Sequence, residues 1–358
     1  MKATQQLHDL GQSLWLDNIT RPMLDSGTLK RYIDELSITG LTSNPTIFDH
    51  AMTHGDAYDE EIARLMSSGV SAEDAFFEMA IEDLRRACDL FAPVYEQTAT
   101  VDGWASLEVS PLLAYQAKRT AEVAKNLHDK AARPNLFIKI PGTPEGRTAI
   151  EESIFAGVTI NVTLLFSREQ YLGAAEAYMR GLERRVEAGL SPDVRSVASL
   201  FVSRWDKATM DKVPAGLRDK LGTAIGQQIY KAYRDVLESD RWQRLENLGA
   251  RPQRLLFAST GTKDPKASDV LYIAALAAPN TVDTMPDETL LAFADHGSVG
   301  KPIPRDGGDC EQMLAAFRKA GIDLDQLAAD LQSQGAKSFS DSWNDLLESI
   351  ESKSKTLK

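Results

Sequence analysis

The sequence has few cysteines and no long apolar run, and each absence excludes a class of protein. Cys88 and Cys310 are too few for a disulfide framework and form no metal-ligand pattern. No stretch reaches the roughly 18 consecutive apolar residues of a transmembrane helix, and residues 1–15 lack the apolar core of a signal peptide. Low-complexity tracts, internal repeats and flexible linkers are also missing. We therefore expect a cytoplasmic protein without a metal, in which residues 1–358 form a single domain.

Positive charge is scarce as well. The chain carries 40 lysines and arginines against 52 acidic residues, which gives a net charge of −12. Such a balance repels polyanions, so we expect no binding to nucleic acid and none to anionic membranes. Hydrophobic residues make up 43% of the chain, which is enough to bury a sizeable core.

What the sequence does contain is a regular alternation of short β-prone runs with longer helical patterns. Eight such runs alternating with helices predict a parallel sheet of the α/β class, closed into a (β/α)₈ barrel. An open, doubly wound sheet is the main alternative. No G-x-G-x-x-G motif follows any of these runs, which argues against a dinucleotide cofactor. The predicted strands are 14–18, 40–44, 104–109, 136–140, 158–161, 197–202, 255–259 and 280–282.

Polar side chains lie near the ends of five predicted strands, on the face opposite the strand's apolar residues. In 136–140, for example, Leu136, Ile138 and Ile140 share one face and Lys139 lies on the other. Active sites of barrels lie at the carboxyl ends of the strands, so these side chains predict a site in the barrel interior. They are Asp17, Asn44, Glu108, Lys139, Asn161 and Thr163.

Lys139 is the unusual member of this ring. Burial disfavours the ammonium form of a lysine and leaves a nucleophilic amine, which can attack a ketone to form a Schiff base. The alternative is an ordinary lysine at a strand end, whose stem covers apolar surface while the ammonium stays in water. Taken alone, the strand favours this second interpretation.

Asp17 and Glu108 strengthen the Schiff-base hypothesis. Carbinolamine formation, loss of water and cleavage of a carbon–carbon bond all need proton transfers, which two carboxyl groups on different strands can supply. Either carboxylate alone is explained as a solvated strand end. Asn44, Asn161 and Thr163 suit hydrogen bonds to sugar hydroxyls, but capping or turn chemistry competes with this, above all for Asn44 before a proline.

Two candidate phosphate ligands follow later strands. Gly261-Thr262-Lys263 can cradle a phosphate with backbone N–H groups and an ammonium, although a plain turn also explains so short a match. Arg204 can bind phosphate or form a surface ion pair with Asp206.

The segments that carry these residues resemble those of the transaldolase family, in order and over most of the chain. Each motif is modest alone, but the whole set is highly specific. The chain length and residues 259–263 resemble the bacterial branch of the family that is called type 2. The segments are LDN at 16–18, GLTSNPT at 40–46, SLEVS at 106–110, IKIP at 138–141, NVTLLFS at 161–167, SLFVSR at 199–204 and ASTGTK at 258–263.

The resemblance implies a cofactor-free enzyme of the pentose phosphate pathway that acts on sugar phosphates. Such an enzyme moves a dihydroxyacetone unit from sedoheptulose 7-phosphate to glyceraldehyde 3-phosphate, giving erythrose 4-phosphate and fructose 6-phosphate. By resemblance, Lys139 forms the Schiff base at the ketose C2, and Asp17 takes the proton of the C4 hydroxyl. Glu108 and Thr163 hold a water that shuttles protons. Substrate binding is assigned to Thr42, Asn44, Ser106, Asn161, Ser199, Phe201, Arg204, Ser259 and Lys263.

One position departs from the family pattern. Many transaldolases have an arginine shortly after the alanine and serine that match Ala258 and Ser259, where it is a second phosphate ligand. Here the chain continues with Thr260-Gly261-Thr262-Lys263. We expect Lys263 to take that role with a point charge in place of a planar, bidentate group.

Two other functions use the same residues. A Schiff-base aldolase would release free dihydroxyacetone, and a non-catalytic barrel would only bind a sugar phosphate. The second is disfavoured, because simple binding does not require a lysine together with both carboxylates.

The chain after Asp309 has the apolar spacing of amphipathic helices over about 309–350. We expect these helices to pack across the barrel or against a second copy in a homodimer. The polar residues 351–358 are expected to fray.

Overall fold

Eight parallel strands form the centre of the computed structural model, which describes residues 1–357. They are β1 Gln12–Leu16, β2 Ile38–Leu41, β3 Ala105–Glu108, β4 Leu136–Pro141, β5 Ile160–Leu165, β6 Ser196–Phe201, β7 Gln253–Ala258 and β8 Thr281–Met285. Their order in the sheet is β2-β1-β8-β7-β6-β5-β4-β3. A parallel bridge between Gly40 and Trp104 joins the two ends of this order, so the sheet closes. The predicted (β/α)₈ barrel is confirmed, and the open sheet is excluded.

Helices surround the barrel and connect its strands. Several of them begin at a residue whose side chain caps the helix: Ser167, for example, forms a capping box with Gln170. The helices are α1 Ala3–Asp9, α2 Arg21–Asp25, α3 Thr28–Leu36, α4 Pro45–Thr53, α5 Asp59–Ser67, α6 Ala72–Gln97, α7 Ala117–Ala131, α8 Pro144–Phe155, α9 Arg168–Glu187, α10 Ser203–Thr209, α11 Leu221–Leu237, α12 Asp240–Asn247, α13 Leu271–Ala275, α14 Asp287–His296, α15 Cys310–Lys319 and α16 Leu324–Thr356.

The strand β5 differs most from its predicted position. It runs four residues further than the predicted 158–161, and its pairing with β6 shifts register between Val162 and Leu165. The cause is a bulge at Leu164, whose φ of 59° lies in the left-handed region. The carbonyl of Leu164 accepts a hydrogen bond of 2.9 Å from the Gln332 side chain on α16. A contact distant in sequence therefore stabilises this bend.

The long helix α16 lies across the barrel, against α4, α5, α6 and β5. Of the two predicted arrangements of the C-terminal helices, the structure has the packing across the barrel. Trp343 contacts the rings of Phe76 and Phe77 on α6, and Lys353 forms an ion pair of 2.6 Å with Asp59. The expected fraying is wrong for residues 351–356, because these contacts continue the helix to Thr356, and Lys358 lies outside the described residues.

Among residues 1–357, no helix is both long enough and apolar enough to cross a bilayer.

Candidate active site

A cavity of about 650 Å³ lies at the carboxyl ends of the barrel strands. The structure brings the predicted site residues together here, and most of them form its wall. Ser106, Glu108 and Asn161 lie behind this wall, where they are almost fully buried. The predicted residues that line the cavity are Asp17, Thr42, Asn44, Lys139, Thr163, Ser199, Phe201, Arg204, Ser259 and Lys263.

Lys139 is buried in an ion pair. The register of β3 and β4 sets Lys139 beside Glu108, and the distance from Nζ to Oε2 is 3.0 Å. The ammonium also donates a hydrogen bond of 2.8 Å to the carbonyl of Ser43. Each side chain of the ion pair is about 4% exposed, so the interpretation of Lys139 as a solvated strand-end lysine is wrong. Burial raises the pKa of the Glu108 carboxyl, while the charge of Lys139 opposes this rise.

Two buried oxygen atoms at this pair have neither a hydrogen-bond partner nor an ion-pair partner among residues 1–357. They are Oε1 of Glu108 and Oγ1 of Thr163. Buried polar atoms in proteins are nearly always hydrogen-bonded, so two such atoms at one site are suited to a small polar ligand or water.

Asp17 directly follows the carboxyl end of β1, and its polar contacts differ from those of Glu108. The hydroxyl of Thr42 donates a hydrogen bond of 2.7 Å to its Oδ1, and Thr42 lies 2.7 Å from the hydroxyl of Thr284. Asp17 borders the cavity, but protein surrounds it closely, and this burial raises the pKa of the carboxyl. The charges of Lys139 and Lys263 oppose that rise. The site therefore contains two carboxyl groups whose pKa values are both raised by burial and lowered by Lys139, while Thr42 and Lys263 act on Asp17 as well.

A row of polar side chains crosses the barrel behind the lysine. Asn161 donates a hydrogen bond of 3.2 Å to the hydroxyl of Ser106 and accepts one of 2.7 Å from Ser199. Asn44 accepts a hydrogen bond of 3.0 Å from the backbone N–H of Ile47. The capping interpretation of Asn44 is therefore confirmed, although the residue also lines the cavity.

Arg204 lies at the rim of the cavity between two aromatic rings. Its guanidinium carbon is 5.1 Å from the ring centre of Phe201 and 5.8 Å from that of Phe339. The alternative ion pair with Asp206 is wrong, because Asp206 accepts hydrogen bonds from two N–H groups of α11 and from the Tyr272 hydroxyl. Burial lowers the pKa of Arg204, but from a value so high that the side chain remains charged.

The helix α16 supplies part of this rim. Phe339 lines the cavity and stacks on Arg204, and Gly335 lets the helix approach closely. A Cβ atom at Gly335 would lie 2.9 Å from Leu164 and 3.1 Å from the Arg204 guanidinium. Replacing this glycine would therefore force the Leu164 side chain to shift and would crowd the guanidinium of Arg204.

Residues 259–263 follow β7 on the same side of the cavity as Arg204. We call them the 259–263 loop. Ser259, Gly261 and Lys263 line the cavity. Ser259 has a φ of 56°, and such left-handed residues are concentrated at functional sites. With Arg204, the loop gives this end of the cavity two positive charges.

Sequence reasoning missed three contributors to the site. Thr284 was outside the predicted strand 280–282, although it lies on the same face as Val282 under a period of two. Ser43 acts through its backbone carbonyl, which no side-chain pattern reveals. Phe339 comes from a helix distant in sequence, and nothing in its spacing distinguishes it from a core residue.

Known proteins are similar to this chain over almost its whole length. The sequence model described as transaldolase/fructose-6-phosphate aldolase matches residues 14–350. The chain belongs to this family. It is 42% identical to "Transaldolase 2" of Streptomyces coelicolor, with 99% of this chain and 98% of that protein aligned. It is also 42% identical to a transaldolase of Frankia alni, over 96% of this chain and 95% of the relative. A transaldolase of Thermobifida fusca is 43% identical, over 97% and 96%.

Proposed function

We propose that the protein is a transaldolase that transfers a dihydroxyacetone unit from sedoheptulose 7-phosphate to glyceraldehyde 3-phosphate. The main support for this proposal is the buried ion pair of Lys139 and Glu108, which lies near Asp17 in the barrel of a chain that belongs to the family. A lysine held in this way is suited to covalent catalysis, and the carboxyls are suited to proton transfer.

Schiff-base formation begins with a proton transfer from the Lys139 ammonium to Glu108, which the raised pKa of that carboxyl favours. The free amine attacks the C2 carbonyl carbon of the ketose to give a carbinolamine. A water held by Glu108 and Thr163 relays a proton to the C2 hydroxyl, which leaves as water. The nitrogen then carries the positive charge of a protonated Schiff base.

Bond cleavage is the task of Asp17. The carboxylate removes the proton of the C4 hydroxyl, the C3–C4 bond breaks, and its electron pair forms an enamine with Lys139. The C4 fragment leaves as an aldose. The same steps in reverse join the enamine to the acceptor aldehyde, with Asp17 returning its proton to the new hydroxyl. The raised pKa of Asp17 favours its temporary protonation.

The phosphate of the substrate binds at the rim, where Arg204 and Lys263 lie. Arg204 can donate two parallel hydrogen bonds, and Lys263 makes a point-charge contact. We expect Arg204→Ala to lower kcat/KM for fructose 6-phosphate about 10- to 100-fold, the value of a hydrogen bond to a charged group. Lys263→Ala should have a smaller effect. Both effects should nearly vanish with fructose, so equal losses on both sugars would make the residue structural.

The proposal is tested on the unmodified protein. With fructose 6-phosphate and borohydride, it should retain a reduced three-carbon adduct, and with erythrose 4-phosphate present it should form sedoheptulose 7-phosphate. Without an acceptor, little free dihydroxyacetone should appear. Rapid release of dihydroxyacetone would favour the aldolase alternative, which the family description includes. Sugar binding without an adduct would indicate a non-catalytic barrel.

We also propose that the enzyme acts in the cytoplasm, as a homodimer, with the whole chain working as one domain. The last point is supported by α16, since a helix near the C-terminus contributes Phe339 to the cavity. Sedimentation equilibrium tests the homodimer, and cell fractionation tests the location.

A further inference from the structure

Asp283 is a buried acidic residue that the mechanism above does not use. It lies on β8 and is 0% exposed. The positions paired with it are Leu14 on β1 and Phe257 on β7, so no titratable group faces it from either neighbouring strand. Its Oδ2 atom has no hydrogen-bond partner in residues 1–357, and Oδ1 contacts Thr260 at 2.8 Å. A carboxyl group in such surroundings needs an explanation, because burying it costs free energy.

The partner, Thr260, belongs to the 259–263 loop. Ser259 and Gly261 on either side of it line the cavity, whereas Thr260 itself is 0% exposed. Its hydroxyl oxygen lies 3.0 Å from the carbonyl oxygen of Thr284, in addition to the 2.8 Å contact with Asp283. The Thr260 side chain is therefore a link between the loop and β8.

The protonation state of Asp283 follows from the hydrogens that the three groups can share. The Thr260 hydroxyl has one hydrogen, and the Thr284 carbonyl can only accept it. Each contact is a separate two-centre hydrogen bond only if the carboxyl group of Asp283 supplies the second hydrogen. The arrangement is thus complete when Asp283 is a neutral carboxylic acid that donates to Thr260, which in turn donates to Thr284.

We propose that Asp283 is a positioning residue for the substrate phosphate, and that it fixes the 259–263 loop through Thr260. This inference rests on the proposed function, since it takes Lys263 of this loop as a phosphate ligand. A neutral acid suits the position, because a carboxylate there would place a negative charge behind a loop that binds an anion. Burial raises the pKa of Asp283 to about 8, and the hydrogen bond that Thr260 can donate to the ionised carboxylate opposes this rise. The group is therefore protonated at neutral pH and ionises just above it.

Ionisation would break the link. Above pH 8 the Thr260 hydroxyl donates to the carboxylate and loses its hydrogen bond to Thr284, so the loop is held less firmly. We expect weaker phosphate binding at alkaline pH, with little change in the chemistry at Lys139.

The experiment compares four variants with the unmodified enzyme. Asp283→Leu and Thr260→Val remove the link at similar volume, and Asp283→Asn keeps a donor to Thr260 but cannot ionise. The control, Thr281→Val, removes another buried hydroxyl of β8, which donates to the Ala278 carbonyl and accepts from the Gln12 side chain at the opposite end of the strand. The measurements are the Kd of inorganic phosphate by calorimetry, and KM and kcat for fructose 6-phosphate and for fructose.

At pH 7 we expect Asp283→Leu and Thr260→Val to raise the phosphate Kd and the KM for fructose 6-phosphate about tenfold. The kcat, and the values for fructose, should change less than about twofold. Asp283→Asn and Thr281→Val should bind phosphate like the unmodified enzyme. Between pH 7 and pH 9, the Kd of the unmodified enzyme should rise several-fold relative to that of Asp283→Asn.

Equal changes for fructose and fructose 6-phosphate would overturn the inference, and so would identical pH profiles for the unmodified enzyme and Asp283→Asn. The pH comparison needs neither Asp283→Leu nor Thr260→Val, so poor folding of those variants leaves the test intact. A failure of the proposed function would appear separately, as the absence of a borohydride adduct on the unmodified enzyme, because phosphate binding does not require turnover.

Discussion

Lys139→Ala should abolish both the borohydride adduct and transaldolase activity, with a loss in kcat of about 10⁴ to 10⁶, as for other catalytic nucleophiles. The amine is the only group in the proposed mechanism that bonds to C2, so no neighbouring side chain can replace it. The adduct of the unmodified protein should be found by mass spectrometry on the peptide that contains residues 136–147.

The substitution also removes one partner of a buried ion pair, which destabilises a protein when the other charge stays unpaired. Here the substitution also removes the charge that opposes the raised pKa of Glu108, so the carboxyl can take up a proton, which limits the cost. Lys139→Met keeps the volume of the stem and should fold if the alanine variant does not. Lys263→Ala is the matched control, because it removes another lysine from the same cavity and should retain the adduct. An adduct on a lysine other than Lys139 would contradict the assignment.

Asp17→Asn and Glu108→Gln should affect different steps. The proton that Asp17 takes leaves the C4 hydroxyl after the Schiff base has formed, so Asp17→Asn should still be trapped by borohydride at nearly the normal rate. Glu108→Gln removes the group that accepts the proton of Lys139 and binds the shuttling water, so trapping itself should slow. Each loss of turnover should be about 10² to 10⁴, the usual contribution of a general acid or base.

Single-turnover trapping with fructose 6-phosphate separates the two variants. Thr42→Val is a useful companion, because it removes the hydroxyl that donates to Asp17 without removing the carboxyl. It should slow cleavage less than Asp17→Asn does and leave trapping unchanged. Equal trapping rates for Asp17→Asn and Glu108→Gln would show that the two carboxyls do not divide the work in this way.

Much of the fold and the cavity wall followed from the sequence because strands have a simple period. Alternation on β3 and β4 placed Glu108 and Lys139 on one face, and the parallel register then set them side by side. The positions of Asp17 and Thr163 followed from the same period of two. What these residues do was taken from the resemblance, and their roles stay predictions.

The remaining features of the fold and the site depend on contacts between residues distant in sequence, which a local sequence pattern does not encode. The bulge at Leu164 is stabilised from α16, and a leucine in the left-handed region has no signal of its own in the sequence. The sequence does not distinguish between Asn44 as a helix cap and Asn44 as a residue of the cavity, because the residue is both. Nothing in the sequence indicates that Asp283 is buried, because an acidic residue in a short strand is expected to be exposed.

The position of α16 has a consequence for the order in which the enzyme is made. A ribosome completes the last barrel strand at Met285, well before it reaches Phe339 and Gly335. Domains begin to fold during synthesis, so the barrel can close while the segment that braces Arg204 is still unmade. A nascent or prematurely terminated chain would then possess Lys139, Asp17 and Glu108 without the completed rim. We expect such a chain to use phosphorylated sugars less efficiently than the finished polypeptide.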